Sequence, residues 1–318
     1  MNNRISIAIA TFNGEKYLKE QLDSLYLQTL LPYEIVVVDD YSTDKTAEIL
    51  EEYRIKKDLK YFINKQNIGV IKNFEKAISL CKGDYIALSD QDDIWFPEKL
   101  EKSYNKLKSI ENNYPAMISS RAIYVNSECK IFRKFESIVD SFEYYETIWG
   151  NGNSQGCTFM LNRKLIEYIL PFPDGITIHD SYIALVAAMV GYKYNMADPL
   201  MYYRHHDGNT LAKEQTKKEG IFYYLKEERF LEDEFPNFIS KKRFYNMQLA
   251  YKHQKKYIEK EKLTLIEKIL SLNSSKSFIK KLLIIISLSE ISLIRRSKIV
   301  ALSIFVKIKK NCLSHTQM

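Results

Sequence analysis

The chain has 318 residues, of which 46% are hydrophobic and 27% charged, as is typical of a soluble globular protein. Its formal net charge is +7, and its four cysteines show no paired spacing, which argues against a disulfide framework or a zinc site. No run of about 18 apolar residues occurs, so we predict no transmembrane helix. The N-terminal residues lead directly into a strand-like segment, so we expect no secretory signal.

Strands and helices are predicted to alternate from residue 5 to residue 89. Continuously apolar segments predict strands at 5–11, 34–40, 59–63 and 85–89. The segments between them carry apolar residues at helical spacing: Leu18, Leu22 and Leu25; Ile49, Leu50 and Tyr53; Val70, Phe74, Ala77 and Cys81. We expect Ser42, Thr43 or Asp44 to cap the second helix and Gly83 to close the third. Because the strands are apolar throughout, they indicate a parallel sheet covered by helices on both faces.

Polar residues stand where the predicted strands end: Thr11, Asp39, Asp40, Asp90 and Asp92. Parallel strands bring their carboxyl ends to one edge of the sheet, and ligands of such sheets bind there. This coincidence predicts a binding site at that edge.

The segment from Ser89 to Trp95 holds three carboxylates in four positions. In an extended chain Asp90 and Asp92 share one face, where they repel each other unless a divalent cation lies between them. Oxygen ligands of this kind suit Mg²⁺ or Mn²⁺, which in turn can hold a diphosphate. The alternative is an acidic loop that caps a helix beginning at Pro97.

Further strands are predicted at 115–125 and 156–161, and a helix over 181–190 that is closed by Gly191. The chain lacks the GxGxxG of dinucleotide-binding proteins and the GxxxxGK[ST] of P-loops. The glycine-rich segment 150–156 follows no clear strand, so we interpret it as a flexible loop.

Four segments together resemble the inverting glycosyltransferases of family 2: Thr11-Phe12-Asn13-Gly14, Val38–Asp44, Asn67-Ile68-Gly69 and Ser89–Trp95. The resemblance covers roughly residues 4 to 210. His179-Asp180 and the segment Tyr203–Asn209 look most like the bacterial rhamnosyltransferase-like subgroup, which builds surface polysaccharides. The resemblance implies an α/β fold of the GT-A type, with a Rossmann-like, mostly parallel sheet and helices on both faces, followed by a helical C-terminal extension.

The resemblance also implies roles for the residues at the nucleotide-sugar side: Thr11, Asn13, Asp39, Asp40, Asn67, Asp90 and Arg204. Asp39 would accept a hydrogen bond from N3–H of a uracil or thymine ring, and Asp90 would face the ribose. Asp40 can instead support the loop, and Arg204 can form a structural ion pair instead of a phosphate clamp. Asp92 and His206 would hold Mn²⁺ or Mg²⁺, although the adjacent His205 can take the place of His206.

Asp180 matches the acidic position of the family and is the expected catalytic base, with Gln155, Gly156 and His179 on the acceptor side. A helix N-terminus lowers the pKa of a carboxyl group, whereas burial raises it, and the sequence leaves open which effect dominates. The alternative for Asp180 is a plain helix cap.

We predict a catalytic domain over residues 1–210 and a basic helical region over 211–318. Between 276 and 310 nine lysines and arginines face one acid, Glu290, a net charge of +8. Short apolar runs between these charges suit an anionic membrane surface, and the alternative is a helical tail packed on the catalytic domain or another subunit. The tail lacks glycines and interleaved aromatics, so we expect no nucleic-acid partner.

The sequence therefore predicts a metal-assisted inverting glycosyltransferase that uses a UDP- or dTDP-sugar. Rhamnose is favoured by the subgroup likeness, while galactose and N-acetylglucosamine remain open. The expected acceptor is a hydroxyl of a growing capsule, O-antigen or cell-wall glycan on a lipid carrier. The expected location is cytoplasmic, peripheral at the inner face of a bacterial plasma membrane.

Two other functions are compatible with acidic strand ends. A nucleotidyltransferase would normally carry an early glycine- and lysine-bearing phosphate loop, and the first lysine here is Lys16. A catalytically inactive sugar-nucleotide-binding or scaffold protein of a polysaccharide assembly complex is the second. Such a protein gains nothing from the repulsion among Asp39, Asp90, Asp92 and Asp180, which argues against it.

Overall fold

The computed structural model describes residues 4–109, 114–133, 147, 155–206 and 241–274. The basic tail 276–310 and the glycine-rich residues 150–154 lie outside the described residues, as do Asp207, Gly208 and Asn209. The predictions that concern them are therefore not addressed by the structure.

Strands and helices alternate in the first part of the chain as predicted. The elements are β1 (Ile5–Thr11), α1 (Leu18–Tyr26), β2 (Glu34–Asp39), α2 (Thr46–Lys57), β3 (Lys60–Ile63), α3 (Val70–Leu80) and β4 (Tyr85–Ser89). The N-cap of α2 is Lys45, which makes no side-chain capping bond, and not one of the three predicted residues. Asp44 lies just before it, and its Oδ1 accepts a hydrogen bond from the backbone N–H of Thr46 at 2.9 Å. Helix α3 ends at Leu80 and not at Gly83. Gly83 instead lets two backbones approach, since a Cβ there would lie 2.7 Å from the carbonyl oxygen of Arg4.

The later elements are β5 (Ile94–Trp95), α4 (Lys99–Lys108), β6 (Ala116–Asn126), β7 (Ile131–Arg133), β8 (Phe159–Asn162), α5 (Arg163–Ile169), α6 (His179–Val190), β9 (Tyr192–His205), α7 (Lys241–Gln254) and α8 (Lys260–Ser274). The strand predicted at 156–161 begins as a 3₁₀ turn, Gly156–Thr158. The helix predicted over 181–190 is α6, and it ends before Gly191 as expected. Strands β5, β7 and β9 and helix α5 were not predicted.

One mixed sheet contains all nine strands, in the order β3-β2-β1-β4-β8-β6-β9-β5, with β7 paired to β6. Strands β1 to β4 are mutually parallel, and β6 and β9 are parallel to each other. Strand β8 is antiparallel to both β4 and β6, so β6 and β9 run in the direction of β4. The sheet is thus mostly parallel, as predicted, and β1, β2 and β4 end at the same edge.

Helices cover both faces of the sheet, and each face has its own buried apolar cluster. One cluster joins the sheet to α1, α2 and α4 through residues such as Ile7, Leu22 and Leu100. The other joins it to α3, α5, α6, α7 and α8, and Met247 and Ile266 belong to it. The described part of the C-terminal region therefore packs into the same core as the sheet. Within the described residues, no helix combines the length and apolarity that crossing a membrane would require.

Candidate functional site

A cavity of about 460 Å³ lies at the carboxyl ends of β1, β2 and β4. It is lined by nine of the residues predicted to form the site: Thr11, Asp40, Asn67, Asp90, Asp92, Gln155, Gly156, His179 and Asp180. Four predicted residues lie outside the lining: Asn13, Asp39, Arg204 and His206. A larger open groove elsewhere, of about 690 Å³, contains none of them. The fold thus brings most of the predicted residues to one place.

Asp39 ends β2 as a fully buried carboxylate. Its oxygens accept hydrogen bonds from Thr11 Oγ1 at 2.9 Å and from the backbone N–H of Ser42 at 2.9 Å. The backbone N–H of Asn13 donates to Ser42 Oγ at 2.8 Å, and Asn13 Oδ1 accepts from the N–H of Thr43 at 2.9 Å. These bonds join the turn after β1 to the turn after β2 and give the cavity a fixed rim.

Asp40 holds the turn that precedes α3. Its carboxylate accepts from Asn64 Nδ2, from the N–H of Ile68 and from the N–H of Gly69, each at 2.8 Å. Gly69 has φ +83°, a conformation that glycine adopts at little cost. These contacts match the alternative in which Asp40 supports the loop. The exposed Asn67 lies beside this turn, and its Oδ1 accepts from the Gly69 N–H at 3.2 Å.

Gln91 connects the acidic loop to the turn after β1, a role that sequence reasoning missed. Its Oε1 accepts from the N–H of Phe12 at 2.9 Å, and its Nε2 donates to the carbonyl of Phe12 at 3.1 Å. A Cβ at Gly14 would lie 2.5 Å from Gln91 Oε1, so a side chain there would displace the amide. The sequence showed a glutamine within the acidic motif, but it did not show which residue that glutamine would bind.

The carboxyl groups of the acidic loop are crowded and partly desolvated. Burial raises the pKa of Asp90 to about 7, and the negative charges of Asp92 and Asp180 add to the effect. Asp93 is fully buried and accepts from the backbone N–H of Arg204 at 3.2 Å. Burial and the neighbouring acids raise the pKa of Asp93 well above its ordinary value. A positive charge placed at this loop would relieve the repulsion.

The donor set at this loop fits a hard divalent cation. His206 Nε2 lies 2.8 Å from Asp92 Oδ2, which brings the two predicted metal ligands into contact. Ligand atoms of Asp90, Asp93 and Cys157 also lie within 4.8 Å of one another. Burial raises the pKa of the Cys157 thiol well above its ordinary value, which keeps it protonated and makes it a poor ligand. The remaining oxygen and imidazole donors are of the kind that Mg²⁺ and Mn²⁺ accept.

Arg204 lies behind the acidic loop, with only 3% of its surface exposed. Its guanidinium donates to the carbonyl of Asp92 at 2.9 Å and to that of Ser127 at 3.2 Å, and it pairs with Glu20 at 2.5 Å. It also lies over the ring of Tyr17, 4.6 Å from the centroid. This is the geometry of a structural ion pair, the alternative given for this residue, and it fixes the backbone of Asp92.

Asp180 occupies the first turn of α6 and lines the cavity. Its carboxylate accepts from the N–H of Ser181 at 2.5 Å and from that of Gly156 at 3.3 Å. Burial raises the pKa of Asp180 to about 6, against the opposing effects of these bonds and of the positive charge of Arg243. Burial therefore outweighs the helix terminus, and the carboxyl group is poised to exchange a proton near neutral pH.

His179 forms the wall beside Asp180. Its ring stacks on Phe74 with centroids 4.2 Å apart, and burial lowers the pKa of His179 to about 4, so the imidazole is neutral. A Cβ at Gly156 would lie 3.2 Å from His179 Nε2 and 3.3 Å from Asp180 Cβ. Glycine at this position lets the backbone approach both side chains closely. Gln155 precedes it in the cavity wall.

Three aromatic residues of the lining, Phe12, Phe74 and Tyr203, were not predicted as site residues. Phe12 is 46% exposed and presents a ring at the cavity. Tyr203 faces the acidic loop, and burial together with nearby acids raises the pKa of its phenol, so it stays a neutral donor. Phe12 and Tyr203 lie within the motifs that carry the family resemblance, whereas Phe74 was predicted only as an apolar residue of α3.

Residues 6–170 match the model of the family described as Glycosyl transferase family 2. The chain is 29% identical over 242 residues to the dTDP-rhamnosyl transferase RfbG of Shigella flexneri, covering 69% of this chain and 81% of that protein. It is 28% identical over 229 residues to an uncharacterized glycosyltransferase of Methanocaldococcus jannaschii, covering 70% of this chain and 78% of the relative.

Solved structures of TarS from S. aureus have a similar fold. The crystal structure of TarS 1–349 in complex with UDP-GlcNAc matches with a TM-score of 0.60 at 17% identity, covering 96% of this chain and 89% of that one. The longer TarS structure matches with a TM-score of 0.58 at 19% identity, and only 44% of that chain is covered. At these identities the similarity establishes the fold.

Proposed function

The chain belongs to glycosyl transferase family 2 and has a fold of the GT-A type, and we propose that it is an inverting enzyme that transfers a sugar from a UDP- or dTDP-linked donor to a hydroxyl of a growing cell-surface polysaccharide. The observation that carries the proposal is one cavity with the acidic loop in one wall and Asp180 in another. A donor diphosphate and an acceptor hydroxyl can meet there.

The nucleotide end of the donor fits the rim formed by the turns after β1 and β2. The exposed ring of Phe12 offers a surface on which a base can stack. Asp39 already accepts from Thr11 Oγ1 and from both the N–H and the hydroxyl of Ser42, and it is fully buried outside the cavity lining. We therefore propose that it meets a ring N3–H only when the side chains around it move. Asn13 and Asn67 complete this side of the proposed nucleotide site.

Asp92 and His206 are the residues that we propose to hold Mn²⁺ or Mg²⁺, and Asp90 beside them would face the ribose. The 2.8 Å contact of Asp92 with His206 and the raised pKa of Asp90 support this choice. Such an ion, when bound, neutralises charge on the diphosphate leaving group. Arg204 contributes by fixing the carbonyl of Asp92, and therefore the loop.

Asp180 is the proposed general base. As the acceptor oxygen forms a bond to the anomeric carbon, the bond from that carbon to the diphosphate oxygen breaks, and the hydroxyl proton passes to Asp180. A pKa of about 6 leaves the carboxylate ionised at neutral pH yet basic enough to take the proton. The backbone N–H groups of Gly156 and Ser181, which donate to the carboxylate, keep it in place.

The donor sugar that we favour is rhamnose, because a relative that is 29% identical over 69% of this chain is a dTDP-rhamnosyl transferase. The TarS complex contains UDP-GlcNAc, which supports keeping N-acetylglucosamine as an alternative, and galactose is a third. The acceptor that we propose is a lipid-linked glycan, either a capsule, an O-antigen or a cell-wall polymer.

We propose a catalytic domain over residues 1–210 and, after it, a C-terminal region over 211–318 whose described residues 241–274 pack into the same core. The part that suits such an acceptor is the basic segment 276–310. Nine basic residues between 276 and 310 would draw the chain to anionic lipids at the inner face of a bacterial plasma membrane. The chain would act there as a peripheral protein on the cytoplasmic side.

Thermal unfolding against a panel of UDP- and dTDP-sugars, with and without Mn²⁺, tests the proposal. A donor at about 100 times its dissociation constant adds roughly 2.7 kcal/mol to the free energy of unfolding. We expect such a shift with one donor in Mn²⁺ and its loss in Asp92→Ala. No shift with any donor in the presence of metal would contradict the proposal and favour a scaffold.

A further inference from the structure

Helix α7 lies against the N-terminal end of α6, where Asp180 stands. The residues of α7 that contact the rest of the fold recur at helical spacing: Arg243, Asn246, Met247, Ala250 and Gln254. Met247 and Ala250 are fully buried in the core cluster that contains α6. Gln254 Nε2 donates to the carbonyl of Tyr168 at 2.7 Å at the other end of the helix. The helix is thus fixed at both ends and along its length.

Asn246 holds the segment that leads into α6. Its Oδ1 accepts from the N–H of Thr177 at 2.9 Å, and its Nδ2 donates to the carbonyl of Ile178 at 3.0 Å. Thr177 and Ile178 both line the cavity, and Asn246 is fully buried. Because a buried amide with two backbone partners is costly to disturb, this contact fixes the backbone just before Asp180.

Arg243 reaches the other side of the same turn. Its Nη1 lies 3.3 Å from Ser181 Oγ, and its Nη2 donates to the carbonyl of Thr147. The guanidinium thus contacts both Ser181, which follows Asp180, and Thr147. Its positive charge acts on the Asp180 carboxylate and lowers the pKa of that group.

We infer that Arg243 and Asn246 are positioning residues that set the place and charge environment of the base Asp180. Both lie on α7, outside the family-matched residues 6–170 and outside the domain predicted to end at residue 210. The inference rests on the proposed function and adds a part to it. The unit needed for transfer then extends at least to the end of α7.

Several charged or polar groups face Asp180 from the surrounding elements. Arg243 comes from α7, Asp90 from the end of β4, and His179 precedes it on α6. The N–H groups of Gly156 and Ser181 donate to it. Among them, Arg243 supplies the positive charge that Asp180 senses, so its removal should make the base titrate at higher pH.

The test compares Arg243→Met, Arg243→Lys and Asn246→Asp in the full chain, with the exposed Lys252→Met on the same helix as the matched control. Turnover is followed with the donor that shifts the unfolding temperature of the wild type. We expect Arg243→Met and Asn246→Asp to lower kcat by roughly 10- to 100-fold, because a small misplacement of the base is costly. The KM for the donor should stay within about 3-fold, because the donor site is not touched.

The pH profile separates a positioning role from a merely structural one. In Arg243→Met the acidic limb of kcat/KM should move to higher pH, and in Arg243→Lys it should return toward the wild-type position because the charge is retained. Two results would overturn this inference without affecting the proposed function. The first is a wild-type kcat in Arg243→Met with the acidic limb of its pH profile unmoved. The second is a loss of donor binding as large as the loss of kcat. Absence of wild-type turnover with every donor would overturn the proposed function itself.

Discussion

At the scale of single residues, burial decides the protonation of the proposed base. Asp180 stands at a helix N-terminus and accepts two backbone hydrogen bonds, both of which favour the ionised form. Its pKa is nevertheless raised to about 6, because desolvation is the larger effect. The same physics keeps His179 neutral, since burial lowers the pKa of its imidazole to about 4. Burial thus favours the uncharged form of both adjacent groups, and at neutral pH His179 is uncharged while Asp180 can still ionise.

A desolvated base should cost stability, and Asp180→Asn should recover it. The pKa of Asp180 is 3.8 ordinarily and about 6 in the fold, so folding favours the protonated form. That contribution to stability is fully present below about pH 4 and is lost as the pH rises through 6. At pH 8 the variant should be more stable than the wild type by on the order of 2 kcal/mol, and at pH 4 the two should be alike.

Denaturant unfolding of both proteins at pH 4 and pH 8 measures this difference. A variant no more stable than the wild type at pH 8 would show that the ionised carboxylate is better solvated than its position suggests.

At the scale of elements, the turn before α3 depends on Asp40. Replacement by Asn keeps one acceptor oxygen but places an amide N–H against the N–H of Ile68 or Gly69. We expect Asp40→Asn to lower the free energy of unfolding by about 1–3 kcal/mol. It should also weaken donor binding, because Asn67 lies beside this turn. Asp58→Asn is the matched control, since exposed Asp58 has φ 56°, which Asn tolerates well, and should change stability by less than about 0.5 kcal/mol.

Calorimetric unfolding of the two variants, followed by donor titration, provides the comparison. Equal stability and donor affinity in both would mean that the hydrogen bonds of Asp40 do not hold the turn.

Elements with a clean apolar pattern could be predicted, and elements with buried polar residues could not. Strands β1 to β4 each contain a continuous apolar run, and each was predicted to within about one residue. Strand β9 was missed because it carries Lys193 and Asn195, which are buried and hydrogen-bonded to each other. Strand β5 has only two residues, too few for any periodicity.

At the scale of the whole molecule, the sequence indicated where the site lies but not how it is held. The cavity forms at the predicted strand ends because parallel strands must end together. The contacts that hold it are distant in sequence: Arg204 with Glu20, Gln91 with Phe12, and Arg243 with the segment around Asp180. No local pattern encodes such pairs, so Arg204 could not be distinguished between a phosphate clamp and an ion pair.

The measurement that tests the central claim most directly is transfer by Asp180→Asn at pH 8, with release of the nucleoside diphosphate in the presence of acceptor glycan as the readout. The variant should bind the donor with the wild-type dissociation constant, because the nucleotide rim and the acidic loop are unchanged. Its turnover should fall by roughly 100- to 10,000-fold, the usual contribution of a general base. Wild-type turnover in Asp180→Asn would contradict the assignment of Asp180 and, with it, the proposed mechanism.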